Sequence, residues 1–490
     1  MKKIFLLFLP VLVATSCNKQ IDDIRPLTKI DKDGELASVT GITEATLGSY
    51  LLINSSGFTF LFDEPLQDLS EDRGNNVTLQ DWAPASQKTD AFFFRNSNSP
   101  TSGFNATYYR GAYQLIVSNN INLEGIASFQ ASSAYTILTD ADKNKVLYAK
   151  GENLFMRAFA YFNLVRLYGK PYYQNGGSGP AVPLKTSSDV KDAPSPATVK
   201  EVYAFIVKDL QMAAQLMKVT GVTRTNAFAT TAAAWALLSR VFLYMGGSIA
   251  NPDPAANQLA AAYADSVIGS TGTKYALLQG DAYQQMFGDD EFGDLGRSVF
   301  SGNKEILFAY DNAYPGSLIG ELYNYDAEDG TGAIFLPSSD LLNLYVPADA
   351  RGNFFRTNSN TGYLETTKWL VLNVYSVSSA PQIFLRMGEV YLNRAEANAK
   401  LGNMTKARAD LKAIHTRAGL PGADVDALAD GELLAAVLKE RRMELAFEGH
   451  NSFDYFRNGL PMTRTAADNN GTELTIQPDD PKVIFTIPLN

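Results

Sequence analysis

The sequence predicts an all-α protein: tetratricopeptide-like helix pairs forming a superhelical scaffold, with a loop-rich subdomain that contains a few short strands. Three observations carry that prediction. Apolar residues recur at intervals of three and four through two long blocks, about 107–270 and 383–456, the period of a helix that buries one face. Two further stretches, about 57–103 and 280–380, instead carry Gly, Pro, Asp and Asn clusters with no sustained period. Within the last helical block, Tyr391, Ala395, Ala407 and Leu411 fall at spacings of four, twelve and four around a Leu401-Gly402-Asn403 turn. Small residues at those positions let paired helices touch, which is the logic of a tetratricopeptide repeat, although Asn398 stands where an aromatic is usual.

In chain order, the first element is an export signal. Lys2 and Lys3 are its basic start, Ile4 to Val13 its apolar stretch, and Ala14-Thr15-Ser16 its small-residue cleavage region before Cys17. Ten residues of helix reach roughly 15 Å, about half of a hydrocarbon core, so the segment is too short for a permanent span. The thiol of a cysteine at this point is the group that bacteria join to diacylglycerol through a thioether. Residues 1–16 are therefore expected to be removed and Cys17 to become the acylated first residue. The alternative is an ordinary secretory signal ending near a cysteine, since Ala14 and Ser16 stand where Leu and Gly or Ala are commoner. Residues 17–40, with Asp22, Asp23, Asp31 and Asp33 and a breaker at Pro26, read as a polar tether.

The remaining 41–490 reads as one domain, with helical scaffold at about 41–57, 105–270 and 381–458 and loop-rich parts at about 58–104 and 280–380. A helix over Thr43–Ile53 is expected with Thr43 as its cap. In Glu152–Tyr168 the residues Leu154, Phe155, Ala158, Phe159, Phe162, Val165 and Leu167 form an apolar stripe that Gly169 and Pro171 end. Glu201–Met217 repeats the spacing. Thr231–Met245 opens with Ala232, Ala233, Ala234 and Ala236, small residues that let helix axes approach, so this helix is expected inside the stack.

Composition narrows the function. With 46% hydrophobic and 19% charged residues the chain is globular, and after the signal no apolar run is long enough to span a bilayer. A formal charge of -10 without a segregated basic run argues against nucleic acid. Cys17 is the only cysteine, so stability must come from packing and not from disulfides. His415 and His450 are the only histidines and neither sits in a metal-ligand spacing, so neither a metal nor a cofactor is expected. Glu440, Glu444 and Glu448 share a spacing of four beside Arg441 and Arg442. Paired carboxylates can hydrolyse glycosides, but this pattern on a long helix is expected to build ion pairs within the scaffold.

The block LKERRMELAFEGHNSFDYFRNG, Leu438 to Gly459, resembles a signature of the SusD/RagB family of Bacteroidetes, which more often shows Arg at the position of Asn451 and Leu at that of Tyr455. The blocks at Gly151–Gly169, Ala232–Gly246, Phe384–Gly402 and Leu411–Leu420 follow in family order. Members commonly continue past an Ile-Pro pair, whereas this chain stops at Ile487-Pro488-Leu489-Asn490, so a surface that the usual terminal segment covers is expected to be bare or covered differently.

The resemblance implies a lipid-anchored outer-membrane protein that captures a nutrient, often a glycan, and delivers it to a TonB-dependent SusC-like β-barrel transporter. Asp22-Asp23 loosely resembles the acidic stretch associated with transfer to the cell surface. A glycan site wants rigid aromatic planes edged by carboxylates, amides or Arg. The loop-rich segments offer Asp72, Arg73, Asn75 and Trp82, and then Tyr323, Tyr325 and Trp369. Trp82 and Trp369 lead because they lie outside the helices, unlike Trp235. Four readings stay open: an oligosaccharide-binding uptake lipoprotein, a peptide-binding one on the same scaffold, a surface glycosidase, and an adaptor whose repeats hold a protein partner.

Overall fold

The computed structural model describes residues 32–53, 64–95, 104–189, 191–270, 274–287, 303–310, 319–327, 330–370 and 382–488. The export signal, Cys17 and the tether up to residue 31 lie outside the described residues.

Helix α1 spans Val39–Leu51, and its cap is Ser38, whose hydroxyl accepts from Gly41 N at 3.0 Å. Thr43, expected as the cap, sits inside the helix and donates back to Val39 O at 2.8 Å. The first stretch read as loop-rich contains, among its described residues, α2, Glu64–Ser70, and strand β1, Val77–Leu79. Two long helices follow, α3 (Phe104–Gln130) and α4 (Asp140–Tyr168). Then come α5 (Val199–Leu216), α6 (Thr231–Met245) and α7 (Pro254–Gly269). Each has a side-chain cap where the sequence supplies one: Thr139 for α4, Thr198 with Glu201 as a capping box for α5, Thr230 for α6 and Asp253 before Pro254 for α7.

Neighbours in sequence are neighbours in space from α3 through α7, and α7 then packs on α8 (Met387–Lys400), more than a hundred residues later. Helices α8 and α9 (Met404–Arg417) form the antiparallel pair expected around Gly402, whose φ of 78° fits the turn. Ala395, Ala407 and Leu411 are buried between them and α10 (Asp430–Glu444). A short helix α11, Asn451–Arg457, ends the scaffold. Among the described residues the molecule is thus mainly helical, with strands only in small pairs.

The chain leaves the stack after α7 and re-enters at α8. A two-stranded ladder closes the base of that excursion: β2, Ile306–Tyr310, pairs antiparallel with β8, Gln382–Arg386. Both strands are buried throughout, and Phe308 and Phe384 meet Phe159 of α4 at ring-centroid distances of 5.8 and 5.0 Å. Between them lie β3 (Tyr325–Asp326), β4 (Thr331–Gly332), β5 (Phe335–Pro337), β6 (Phe355–Thr357) and β7 (Leu364–Thr366). Strand β5 pairs with β1, so the two loop-rich stretches form one body, with a core of Val77, Leu79, Phe92, Tyr323, Phe335, Trp369 and Phe447 among others. The closing strands β9 (Met462–Arg464) and β10 (Leu474–Ile476) pair beside it.

Charge also fastens the subdomain to the scaffold. Glu444, at the end of α10, meets Arg386 Nη1 and Arg417 Nη2, each at 2.6 Å, and accepts from Tyr283 Oη at 2.9 Å. Arg351 lies 2.8 Å from Glu440, and Lys368 lies 2.6 Å from Glu448. The Arg351–Glu440 and Arg417–Glu444 contacts are ionic approaches without hydrogen-bond alignment. Sequence spacing placed these carboxylates in scaffold alone. In space they bind cations that come from the excursion as well as from the helices.

Candidate ligand-binding face

The seven candidate residues separate into two groups. Five of them are interior. Trp369 is 2% exposed and donates its indole N–H to Phe447 O at 2.9 Å. Tyr323 packs its ring on Phe447 at 5.0 Å and donates its hydroxyl to Asp72 Oδ1 at 2.7 Å. Burial pushes the Asp72 carboxyl up to about 8, and the neighbouring Asp68, also buried, rises as well. The Arg73 guanidinium is sandwiched between Phe94 and Phe485, 4.4 and 4.2 Å from the ring centroids, and donates to the carbonyls of Lys482 and Val483. Asn75 is spent on Tyr455 Oη at 3.2 Å and Thr463 O at 3.0 Å.

A stacking platform needs an open ring face, and Trp369 and Tyr323 have none. The expectation that these five line a ligand surface is therefore corrected: in this structure they hold the subdomain together. The physical reason is that residues 64–79 run beneath the excursion and against the closing segment, so the polar groups there are shut away from water and bond largely within the protein.

Trp82 and Tyr325 remain at the surface, Trp82 half-exposed at 51% and Tyr325 partly so. The fold brings them to one stretch of backbone. β1 pairs with β5, and the pairing continues past its end as Gln80 N donates to Ile334 O at 3.0 Å; Trp82 follows within the turn that Ala83 N closes on Gln80 O. From the other side Tyr325 of β3 is paired with Gly332 of β4. Both aromatics thus flank residues 332–334. That stretch is rigid: Gly332 has φ 95°, and a Cβ there would lie 2.3 Å from Asn324 O, so only glycine fits. Its neighbour Ala333 is held at φ 51° by burial and by its N–H bond to Asn324 O at 3.0 Å. Beneath the hairpin the buried Glu365 accepts from Tyr325 N at 2.9 Å and from Asn358 Nδ2 at 3.1 and 3.2 Å. No signal in the sequence marked Glu365, because its role depends on a turn formed 40 residues upstream.

The Glu440, Glu444 and Glu448 set has no geometry for acid–base chemistry. Burial alone would raise the Glu444 carboxyl, but Arg417, Arg386 and Arg351 hold it well below the usual carboxylate range. A general acid for glycoside cleavage needs the opposite shift. His415 closes α9, with Nδ1 3.1 Å from Glu440 Oε2, and burial drives the His450 imidazole well below its ordinary value. Among the described residues no three His, Cys, Asp or Glu side chains are grouped to hold a metal ion, and no helix is long and apolar enough to cross a membrane.

Comparison with known proteins agrees with the fold. Residues 325–486 match the model of the SusD family, and residues 66–243 match a family described as starch-binding associating with outer membrane. The chain belongs to the SusD/RagB family. A SusD-like protein P2 from Formosa agariphila is 25% identical over 425 residues, covering 79% of this chain and 77% of that one. A SusD superfamily protein from Bacteroides thetaiotaomicron superimposes with a TM-score of 0.77 at 25% identity, covering 92% of this chain and 96% of its own. A putative sugar binding protein from Bacteroides vulgatus does so at 0.74 and 24%, covering 92% and 95%, which shows the shared fold. The SusD signature block, Leu438 to Gly459, is where α10, α11 and the ion pairs of Glu444 meet.

Proposed function

We propose that this protein is a cell-surface lipoprotein that holds a nutrient oligosaccharide without altering it and passes it to a SusC-like, TonB-dependent β-barrel in the outer membrane. Residues 1–16 would be its signal, 17–40 the acylated start and tether, and 41–490 the binding domain. Membership of a SusD family, one of whose models is described as starch-binding and outer-membrane-associated, supports the coarse role. The observation that carries the finer one is the Trp82 face: a half-exposed indole and a partly exposed Tyr325 on the backbone segments that flank the strained, internally bonded stretch 332–334. An exposed aromatic plane stacks on the apolar C–H face of a sugar ring.

The test is native affinity electrophoresis of the mature chain, with Cys17 replaced by Ser, through gels containing neutral polysaccharides. Retardation is expected, Trp82→Ala should weaken it about tenfold in Kd, and no reducing ends should be released. Unchanged mobility of the variant would remove Trp82 from the site. Release of product would return the glycosidase reading.

A further inference from the structure

Where α10 ends and α11 begins, the chain encloses a half-open cavity of about 180 Å³. Water takes about 30 Å³ of liquid per molecule, so the space equals about six waters. That is below the range of about 300–1,000 Å³ for drug-sized ligands, and it admits a single ring. The cavity adjoins Asn76, at the opposite end of β1 from Trp82 and six residues away, hence no more than about 20 Å of chain. Neither Trp82 nor Tyr325 lines it, so it is distinct from the Trp82 face.

Four leucines, Leu344, Leu438, Leu445 and Leu460, supply apolar surface. The charged groups on the wall can be balanced one by one. Asp454 is occupied, by Arg441 Nε at 2.7 Å and by Arg457 Nε at 2.8 Å. Arg442 is paired with Asp340 at 2.7 Å. His450 is buried among arginines and carries no charge near neutrality. Lys439 is left over: exposed, next to Arg442, and in no ion pair among the described residues. A surplus cation over an apolar floor, in a chain of formal charge -10, selects for an anion with an apolar body. One more group fixes its kind. Tyr455 Oη accepts from Asn75 Nδ2 at 3.2 Å, which leaves its own proton to donate to a ligand oxygen.

We propose that this cavity is a second saccharide site, taking one uronic acid ring, with its C–H faces on the leucines, its carboxylate on Lys439 and an oxygen on Tyr455. The saccharide assignment rests on the oligosaccharide reading above; the preference for a carboxylate rests on the cavity alone.

The experiment is calorimetric titration of the full mature chain, Cys17→Ser, with glucuronate, glucose and N-acetylleucine in turn. Glucuronate should bind and weaken as salt is raised, whereas glucose should not bind measurably. Lys439→Glu should weaken glucuronate about tenfold, and Tyr455→Phe, which keeps the ring, about fivefold, with circular dichroism unchanged in both. Equal binding of glucose, indifference to Lys439→Glu, or no binding of glucuronate would overturn the proposal. Binding of N-acetylleucine in place of glucuronate would overturn it in favour of a peptide carboxylate. Because Trp82 is tested on neutral polysaccharide and this cavity on a charged monomer, either reading can fall without the other.

Discussion

Replacing Glu444 by Gln tests whether the buried ion pairs fasten the subdomain to the helical stack. Glu444 is fully buried and meets Arg386 and Arg417 at 2.6 Å, with Arg351 at 3.8 Å. Glutamine keeps the shape and one acceptor oxygen but removes the charge, leaving buried guanidinium groups short of a counter-ion. Removing one partner of a buried pair costs about 3–5 kcal/mol. The entropy of unfolding is about 2.1 cal/mol/K per residue, hence about 1 kcal/mol/K for the roughly 460 residues from Lys32 onward if they unfold as one unit. The melting temperature should therefore fall by about 3–5 °C in differential scanning calorimetry.

The pH dependence supplies a second reading of the same variant. The folded Glu444 carboxyl lies well below the ordinary value of 4.5. A depressed carboxyl stabilises the fold above its unfolded pKa, and the contribution fades as pH falls toward the folded one. The gap between wild type and Glu444→Gln should hold from pH 7 down to about 4.5 and narrow below it. A melting temperature unchanged at pH 7, or a gap that grows on acidification, would refute the reasoning.

Three further outcomes are expected. Asp72→Asn should flatten the fall in stability between about pH 4 and pH 8, followed by melting temperature: burial raises the Asp72 carboxyl to about 8, so ionising it disfavours the fold increasingly as pH rises through that window; an unchanged slope would contradict the burial argument. Gly332→Ala should destabilise the hairpin by at least about 1–3 kcal/mol, since the added Cβ would meet Asn324 O at 2.3 Å, and should weaken glycan retardation together with stability, as denaturant unfolding and affinity gels would show. Phe159→Ala, removing the ring that joins α4 to Phe308 and Phe384, should cost about 3–5 kcal/mol in denaturant unfolding while leaving the Trp82 face in place, and a cost below about 1 kcal/mol would mean that the ladder is held elsewhere.

The helices were legible because each carries its own instructions. Thr231–Met245 was readable to the residue, since its apolar period, small-residue face and terminal Gly246 are all local. The turn at Gly402 and the α8–α9 pair were readable for the same reason. Local signals were weaker at α1, where a threonine inside the helix resembled a cap and the actual cap, Ser38, stood just upstream. In the candidate site, Trp82 was legible as a scarce aromatic in a stretch without period. Trp369 met the same criterion and is buried, because the partner that covers it, Phe447, lies 78 residues away in the chain.

What the sequence alone determined is what a window of a few residues can hold: the helical period, the glycine turns, and the ordered blocks that mark the SusD/RagB family. Tertiary structure decided which polar and aromatic residues face water. Asp72, Arg73, Asn75 and Tyr323 look like surface chemistry in sequence and are interior, because Val77–Leu79 pairs with strand β5 and the residues before it thread against the closing segment. Leu438 and Lys439 look like ordinary helix surface and border a cavity, because Asn451, Asp454 and Tyr455 of α11 come to line the same space. Burial is a property of contacts between distant segments, and no local pattern encodes which segment will arrive.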